Sequence, residues 1–403
     1  MNRKRKYRRF VLWCLGIDLL AIGWSGWRYL DRKIPDELHV AQGRSQDVRE
    51  LLDHPLLGFG DTITVSQEGS YRIPCRLFGL IPFKEIKVTP AKSSNVLVSG
   101  SSVGIYMETQ GVLIIDTGEI LSQSGTAQEP AKNLVKPGDY IVAFNDQEIS
   151  TKKELMDDLK TLDGEEVVLD IKRGEETIPV SVTPVKDTQG EYKLGIWVRD
   201  DTQGIGTLTF VDSEGRYGAL GHGISDVDTG ELLSIKDGAL YQAQILGIQK
   251  GSDGYPGELS GLIHYDSSNI IGSISLNTKN GIYGTFNGNI GENIELRQMP
   301  VGYKQEITTG PAGVLCSIDG KVEEYTAEIT RIDMNHEDTN KSFVIHITDQ
   351  RLLEATGGIV QGMSGTPVVQ NGKFIGAITH VFVQDSTSGY GIFAETMLEG
   401  LGR

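Results

Sequence analysis

From Tyr192 to Arg403 the chain is a succession of short apolar runs separated by turn residues, and no long helical pattern interrupts them. The runs include Ile205-Gly206-Thr207-Leu208-Thr209-Phe210-Val211, Ile245-Leu246-Gly247-Ile248 and Ile270-Ile271-Gly272-Ser273-Ile274-Ser275-Leu276. Phe343-Val344-Ile345-His346-Ile347 and Phe374 to Val383 continue the series. Runs of this length and composition, bounded by turn residues, are β-strands. Without crossover helices they must close into barrels or stack as sandwiches. About 210 residues suffice for two packed six-stranded barrels. The 50 glycines of the 403-residue chain supply the turns that such an architecture consumes.

Within this region lies Gly362-Met363-Ser364-Gly365-Thr366-Pro367. Glycines on both sides of a serine permit a tight turn that a Cβ would obstruct. Such a turn can expose the hydroxyl and aim the N–H groups of Gly362 to Ser364 at one point, which makes a nucleophile beside an oxyanion hole. The same residues also suit an ordinary glycine-rich turn. A serine nucleophile needs a base, and histidine is the usual one. His39 and His54 lie near the N-terminal segment, and His264, His336, His346 and His380 sit in or beside strands and loops. His222 differs, standing in Ala219-Leu220-Gly221-His222-Gly223-Ile224-Ser225 and preceding Ser364 by 142 residues (364 minus 222). Its flanking glycines allow close approach of other backbone. An orienting acid is harder to choose. The usual double-barrel spacing points near Asp266, Asp226 and Asp228 lie close to His222, and Asp349 ends the strand at Phe343 to Thr348.

The N-terminal part has a different character. Arg3-Lys4-Arg5-Lys6 and Arg8-Arg9 precede a mostly apolar stretch from Phe10 to Leu30, interrupted by Asp18 and Arg28. The stretch is long enough to cross a bilayer, and no small-x-small cleavage site follows it. An uncleaved signal anchor is expected, with everything after about Lys33 outside the cytoplasm by the positive-inside rule. A polar stalk follows, with a short helix over Ser45 to Leu52 and strands at Thr62 to Val65, Tyr71 to Phe78 and Ile81 to Val88, the last at a sheet edge. The net charge of -16 disfavours nucleic acid as a partner. Cys14, Cys75 and Cys316 form no disulfide framework. The chain has no Cys-x-x-Cys, His-x-x-x-His or His-x-Glu pair, so neither a metal nor another cofactor is expected.

Residues 97 to 185 carry Val112-Leu113-Ile114-Ile115, then Leu134 through Asn145 with Pro137-Gly138-Asp139, an amphipathic helix from Thr151 to Leu159, and a hairpin at Val167 to Gly174 and Thr177 to Val182. This segment resembles a PDZ domain. The resemblance implies that Val103, Gly104 and Ile105 form the carboxylate-binding loop and that a peptide docks there by β-augmentation. The order of a Gly-bracketed His before Gly-x-Ser-Gly-x-Pro resembles the chymotrypsin-like peptidases. Taken together, the basic anchor, Leu77-Phe78-Gly79-Leu80-Ile81-Pro82-Phe83-Lys84, the PDZ core and the two glycine-bracketed motifs resemble the stage IV sporulation protein B peptidases of endospore-forming bacteria. The expected fold is therefore mainly β: an anchor over 1–33, a stalk over 34–96, a PDZ domain over 97–186 and a chymotrypsin-like double β-barrel over 187–403.

The family resemblance implies His222 as general base, Ser364 as nucleophile and Asp349 as orienting acid. The oxyanion hole at the N–H groups of Gly362 and Ser364 is a geometric expectation. The resemblance further implies an exported peptidase of the forespore membrane, lying between two membranes. It would cleave itself, including other copies of itself, and be released in soluble forms. It would then cleave the extracytoplasmic part of a membrane regulator. That cut frees an intramembrane metalloprotease to process a sigma-factor precursor. Two other readings of the same residues are a non-catalytic PDZ adaptor on a pseudopeptidase barrel and a cell-envelope chaperone.

Overall fold

The computed structural model describes residues 2–41, 56–59, 71–91, 95–252, 254–287 and 294–402. Helix α1, Asn2–Lys33, contains a segment from Lys4 to Lys33 long and apolar enough to span a membrane. The helix expected over Ser45 to Leu52 and the strand expected at Thr62 to Val65 lie outside the described residues.

Beyond the helix the polypeptide builds a small sheet rather than an open stalk. Glu37–Ala41, Ile81–Ala91, Tyr71–Leu77 and Leu57–Phe59 pair in that spatial order. Ile81–Ala91 is paired on both sides, so it is not the expected edge strand, and a register shift at Cys75 and Arg76 accommodates Pro82. Leu30 and Ile34 of the helix end enter this sheet's core with Leu38, Val40, Ile73 and Ile86.

Two closed barrels follow. The first comprises β1 (Ser102–Thr117), β2 (Ile196–Val211), β3 (Arg216–Ala219), β4 (Ile235–Gln249), β5 (Ile270–Thr278) and β6 (Gly281–Phe286). Its neighbours run β1–β4–β5–β6–β3–β2, and pairing of β2 with β1 closes the ring. The second comprises β7 (Gly310–Ser317), β8 (Val322–Ile332), β9 (Phe343–Ile347), β10 (Pro367–Gln370), β11 (Lys373–Phe382) and β12 (Asp385–Phe393). It closes in the order β7–β8–β9–β12–β11–β10. Closure removes the free strand edges that would otherwise invite pairing with other chains.

The PDZ-like module is grafted into the first barrel. Strands β1 and β2 are each 16 residues long and serve two cores. Val103, Ile105 and Met107 of β1 join Leu208 of β2 in the barrel core. Val112 and Ile114, further along β1, pack with Ile141, Leu155, Leu169 and Val182 instead. The switch falls at Gly111, whose φ of 97° no side-chain-bearing residue adopts easily. Helix α2, Lys152–Leu159, is the one expected, with Thr151 and Glu154 closing a capping box and Leu155 facing the core.

This grafting corrects the placement of the carboxylate-binding loop at Val103, Gly104 and Ile105. These residues lie inside β1, where Gly104 pairs with Ile205 on one side and Tyr241 on the other. Both edges are occupied, so no peptide can add a strand there. Among the described residues, the open edge of the PDZ sheet beside α2 is the start of β2, Ile196 to Arg199.

The barrels are joined by an apolar seam. Val98 and Phe210 from the first side meet Leu315, Phe374, Ala377 and Ile392 from the second. The Phe210 and Phe374 rings lie 5.7 Å apart. This seam sets the mutual position of the loops that carry His222 and Ser364. Truncation of a buried Phe leaves a cavity that costs about 3–5 kcal/mol. Phe210→Ala is therefore expected to lower the unfolding free energy by about that amount in urea denaturation. A loss under about 1 kcal/mol would show that the seam does not hold the barrels together.

Candidate active site

His222 follows β3 on a strained turn. Leu220 has φ 68° and Gly221 φ 69°. A left-handed Leu costs on the order of 1–3 kcal/mol, and such strain gathers where geometry is over-determined. Gly221 is pressed against Thr379 and Ile392, so a Cβ there would collide with the second barrel. Of the two glycines expected to admit close backbone approach, Gly223 faces the Thr278 carbonyl, whereas Gly221 is approached by side chains.

Ser364 lies in the loop entering β10. Gly362 and Gly365 have φ of 97° and 91°. A Cβ on Gly365 would strike the Thr207 carbonyl and the Leu220 backbone. The turn is held from across the seam: Thr207 N–H donates to Ser364 O at 3.1 Å and Thr207 Oγ1 to Gly362 O at 2.9 Å. Thr209 Oγ1 donates to Gly365 O at 2.7 Å. The N–H groups of Met363, Gly365 and Thr366 donate to Val360 O, Ile378 O and Met363 O, whereas those of Gly362 and Ser364 have no acceptor among the described residues.

The two side chains share a wall formed by Thr379 and His380. Ser364 Oγ donates to Thr379 O at 3.0 Å, and the rings of His222 and His380 lie 4.9 Å apart. No hydrogen bond joins Ser364 Oγ to His222 among the described residues. Catalytic hydrogen bonds often tighten only when substrate is bound.

The His222 Nδ1 is 2.8 Å from Gly223 O, so Nδ1 carries the proton and Nε2 is left with a lone pair. Burial pushes the His222 pKa below its ordinary value, and the Gly223 carbonyl offsets this in part. Burial also pushes His380 down, to about 4, with His222 adding to the effect.

Asp349 is not brought to this site. It caps helix α3, Gln350–Thr356, accepting from Arg351 N–H at 3.0 Å and Thr326 N–H at 3.2 Å. Arg351 pairs with it at 3.1 Å and holds its carboxyl below the usual range. Gly391, Phe343 and Ile378 lie level with the Ser364 turn. Asp349 stands six residues beyond Phe343 (349 minus 343), which is roughly 20 Å along an extended chain. Asp266 is exposed and caps a short turn without a side-chain hydrogen bond. Among the described residues no carboxylate reaches either nitrogen of His222.

Several residues of the site escape a linear reading. Thr207 and Thr209 look like ordinary alternating strand residues. Asn277 holds the segment after His222 by accepting from Ile224 N–H at 2.9 Å and donating to the carbonyls of Ile224 and Leu233. His380 reads as a strand histidine. Only the two strained turns carry a local signature, through their glycines.

A base works when neutral, so a lowered pKa extends its working range to lower pH. The acid limb of the kcat/KM profile is expected below 6.5, the ordinary His222 value. Stability runs the same way. The unfolded chain binds protons at His222 and His380 more readily than the folded chain does. Their contribution is complete above 6.5 and is lost as pH falls from there toward about 4. An acid limb at or above 6.5 in a pH-rate measurement would contradict this placement of His222.

The family model described as SpoIVB peptidase S55 matches residues 190–398, just over half of the 403-residue chain. Two proteins of Xylella fastidiosa that carry a zinc-metalloprotease name are similar over shorter stretches. One is 30% identical over 122 residues, covering 30% of this chain and 24% of that protein. The other is 32% identical over 92 residues, covering 22% of this chain and 20% of its own length. The chain thus spans about a quarter or less of these relatives.

Among solved structures, the PDZ domain of an SdrC-like protein from Listeria monocytogenes is 19% identical. It covers 22% of this chain and 87% of its own, with a TM-score of 0.18. The Rv3671c protease in its inactive form is 15% identical, covering 49% of this chain and 85% of that one, with a TM-score of 0.26. A mutant of the same protease from M. tuberculosis H37Rv is 16% identical, covering 49% and 82%, also at 0.26. With the family model matching more than half of its residues, the chain belongs to the SpoIVB peptidase S55 family of serine peptidases.

Proposed function

We propose that Ser364 is the nucleophile and His222 the general base of a membrane-anchored signalling endopeptidase. The observation that carries this reading is the convergence of the two residues on the Thr379–His380 wall, beside two unengaged N–H groups. When a substrate carbonyl enters, the Ser364 hydroxyl turns from Thr379 O to His222 Nε2. It loses its proton there as Oγ attacks the carbonyl carbon. The oxyanion then accepts from Gly362 and Ser364 N–H. Removing one such donor typically costs about 100- to 1000-fold in kcat. Gly223 O accepts from Nδ1–H throughout and stabilises the imidazolium. The proton on Nε2 passes to the leaving amine, the C–N bond breaks, and water later releases the acyl group from Ser364 by the reverse proton route.

The substrate assignment rests on the family match and the anchor. In this reading the enzyme sits in the forespore membrane with its barrels in the space between the two membranes. It cleaves itself, in part between copies, and then the extracytoplasmic part of a membrane regulator. That cut frees an intramembrane metalloprotease to process the mother-cell sigma precursor. The PDZ module directs substrates through the open edge at Ile196 to Arg199 rather than through Val103, Gly104 and Ile105.

Ser364→Ala and His222→Ala are each expected to abolish self-cleavage and cleavage of the regulator's extracytoplasmic domain in a purified assay. Residual rates would be at least about 1000-fold down. Self-cleavage persisting in purified Ser364→Ala protein would overturn the assignment and favour a pseudopeptidase adaptor. Asp349→Asn preserves the helix cap while removing the Arg351 pair. It is expected to keep kcat within about tenfold. A fall as deep as that of His222→Ala would restore Asp349 to the proton-transfer machinery.

A further inference from the structure

The segment that follows His222 is a β-hairpin, and its far end is tied to the PDZ module. Leu233 N–H donates to Ile224 O at 3.1 Å, Ser225 bridges Leu232, and Asp226 N–H donates to Glu231 O at 2.9 Å. At the tip Asp226 folds the turn onto itself, its Oδ1 accepting from Asp228 N–H at 3.0 Å and Thr229 N–H at 2.9 Å. Its other oxygen pairs with Arg199 Nη1, and Arg199 Nη2 reaches Asp228 at 3.0 Å. The Asp226 side chain is only 1% exposed and that of Arg199 is 33% exposed. Burial alone would raise the Asp226 pKa. The Thr229 and Asp228 N–H groups and then Arg199 outweigh it and hold the carboxyl below its ordinary value.

Arg199 is not a neighbouring loop residue. It sits on β2 opposite Leu113, where that strand is still part of the PDZ sheet and forms its open edge. The rest of the hairpin faces the same module. Ile224 and Leu233 pack with Leu113 and Tyr140, and Tyr140 OH accepts from Ser234 N–H at 3.1 Å. At the near end the hairpin begins with Gly223, whose carbonyl fixes the His222 tautomer. One end of the hairpin therefore sets the base, and the other is held by an ion pair to the PDZ edge strand.

We propose that Arg199 and Asp226 are positioning residues for His222, so that the general base takes its orientation from the PDZ module. The proposal rests on the reading of His222 as the base. A buried ion pair contributes little net stability, but removal of one partner leaves a costly unpaired charge. Its value here is geometric: it fixes the hairpin that presents Gly223 O to Nδ1. Releasing the tip lets that carbonyl drift and admits water beside the imidazole. The groups facing His222 are Gly223 O and the His380 ring, with Lys341 and Asp338 near His380.

The test uses the full-length protein and a cleavable peptide, with His222→Ala as reference and thermal unfolding to verify folding. Asp226→Asn keeps the turn's acceptor oxygen and loses the ion pair, and Arg199→Met removes the cation. Both are expected to lower kcat by about tenfold or more with KM changed less than about twofold. The acid limb of kcat/KM should move up toward the ordinary histidine value as the imidazole becomes hydrated. Arg199→Lys retains the charge and should recover kcat to within about threefold of the parent. If both variants keep kcat within about twofold, or lose it only in proportion to the folded fraction with the acid limb unmoved, the proposal is overturned. Activity surviving in His222→Ala would instead overturn the assignment of the base on which the proposal rests.

Discussion

Two threonines of the first barrel hold the turn around Ser364, the proposed nucleophile, which belongs to the second. Thr207 and Thr209 of β2 place three donors on the carbonyls of Gly362, Ser364 and Gly365. Each neutral hydrogen bond is worth about 1 kcal/mol net, so their stabilising effect is modest. Their geometric effect is larger. By holding three carbonyls against β2 they fix the backbone of the turn around Ser364, in which the Gly362 and Ser364 N–H groups, the proposed oxyanion donors, have no acceptor among the described residues. The Phe210–Phe374 seam keeps β2 in register with that turn, so the apolar contact between barrels sets the electrostatics of the cleft.

The imidazole of His222, the proposed base, is oriented by a carbonyl rather than a carboxylate. A carbonyl fixes the tautomer as well as an acid does, because Nδ1–H needs only an acceptor. It stabilises the imidazolium less, since it carries no net charge. The consequence is a weak, easily desolvated base whose competence depends on where its hairpin sits. That hairpin is gripped at its root by Asn277 and at its tip by Arg199. A strand shared between the PDZ sheet and the barrel thus reaches both catalytic loops: Arg199 holds the one after His222, and Thr207 holds the one around Ser364.

Much of this was legible in the sequence, for identifiable reasons. The strands at Phe343 to Ile347 and Ile270 to Leu276 announce themselves by β-branched runs, and helix α2 by its amphipathic pattern. The glycines beside His222 and Ser364 mark turns with positive φ at Gly221, Gly362 and Gly365 and close backbone approach at Gly223 and Gly365. The module boundary was hidden because Glu108-Thr109-Gln110-Gly111 looks like a turn between two strands, whereas β1 runs on through it and changes core at Gly111. Val103, Gly104 and Ile105 therefore look like the entry to a PDZ strand although they belong to the barrel. Asp349 misleads for the opposite reason. A carboxylate at a strand end before a helix looks the same in sequence whether it caps that helix or faces a histidine, and here it caps.

The most direct test of a base-activated Ser364 is its reaction with a fluorophosphonate, followed by intact-protein and peptide mass spectrometry. The account predicts one adduct per chain, on Ser364. It also predicts that the rate falls at least about 100-fold in His222→Gln. An adduct elsewhere, or a rate unchanged by the loss of His222, would contradict it.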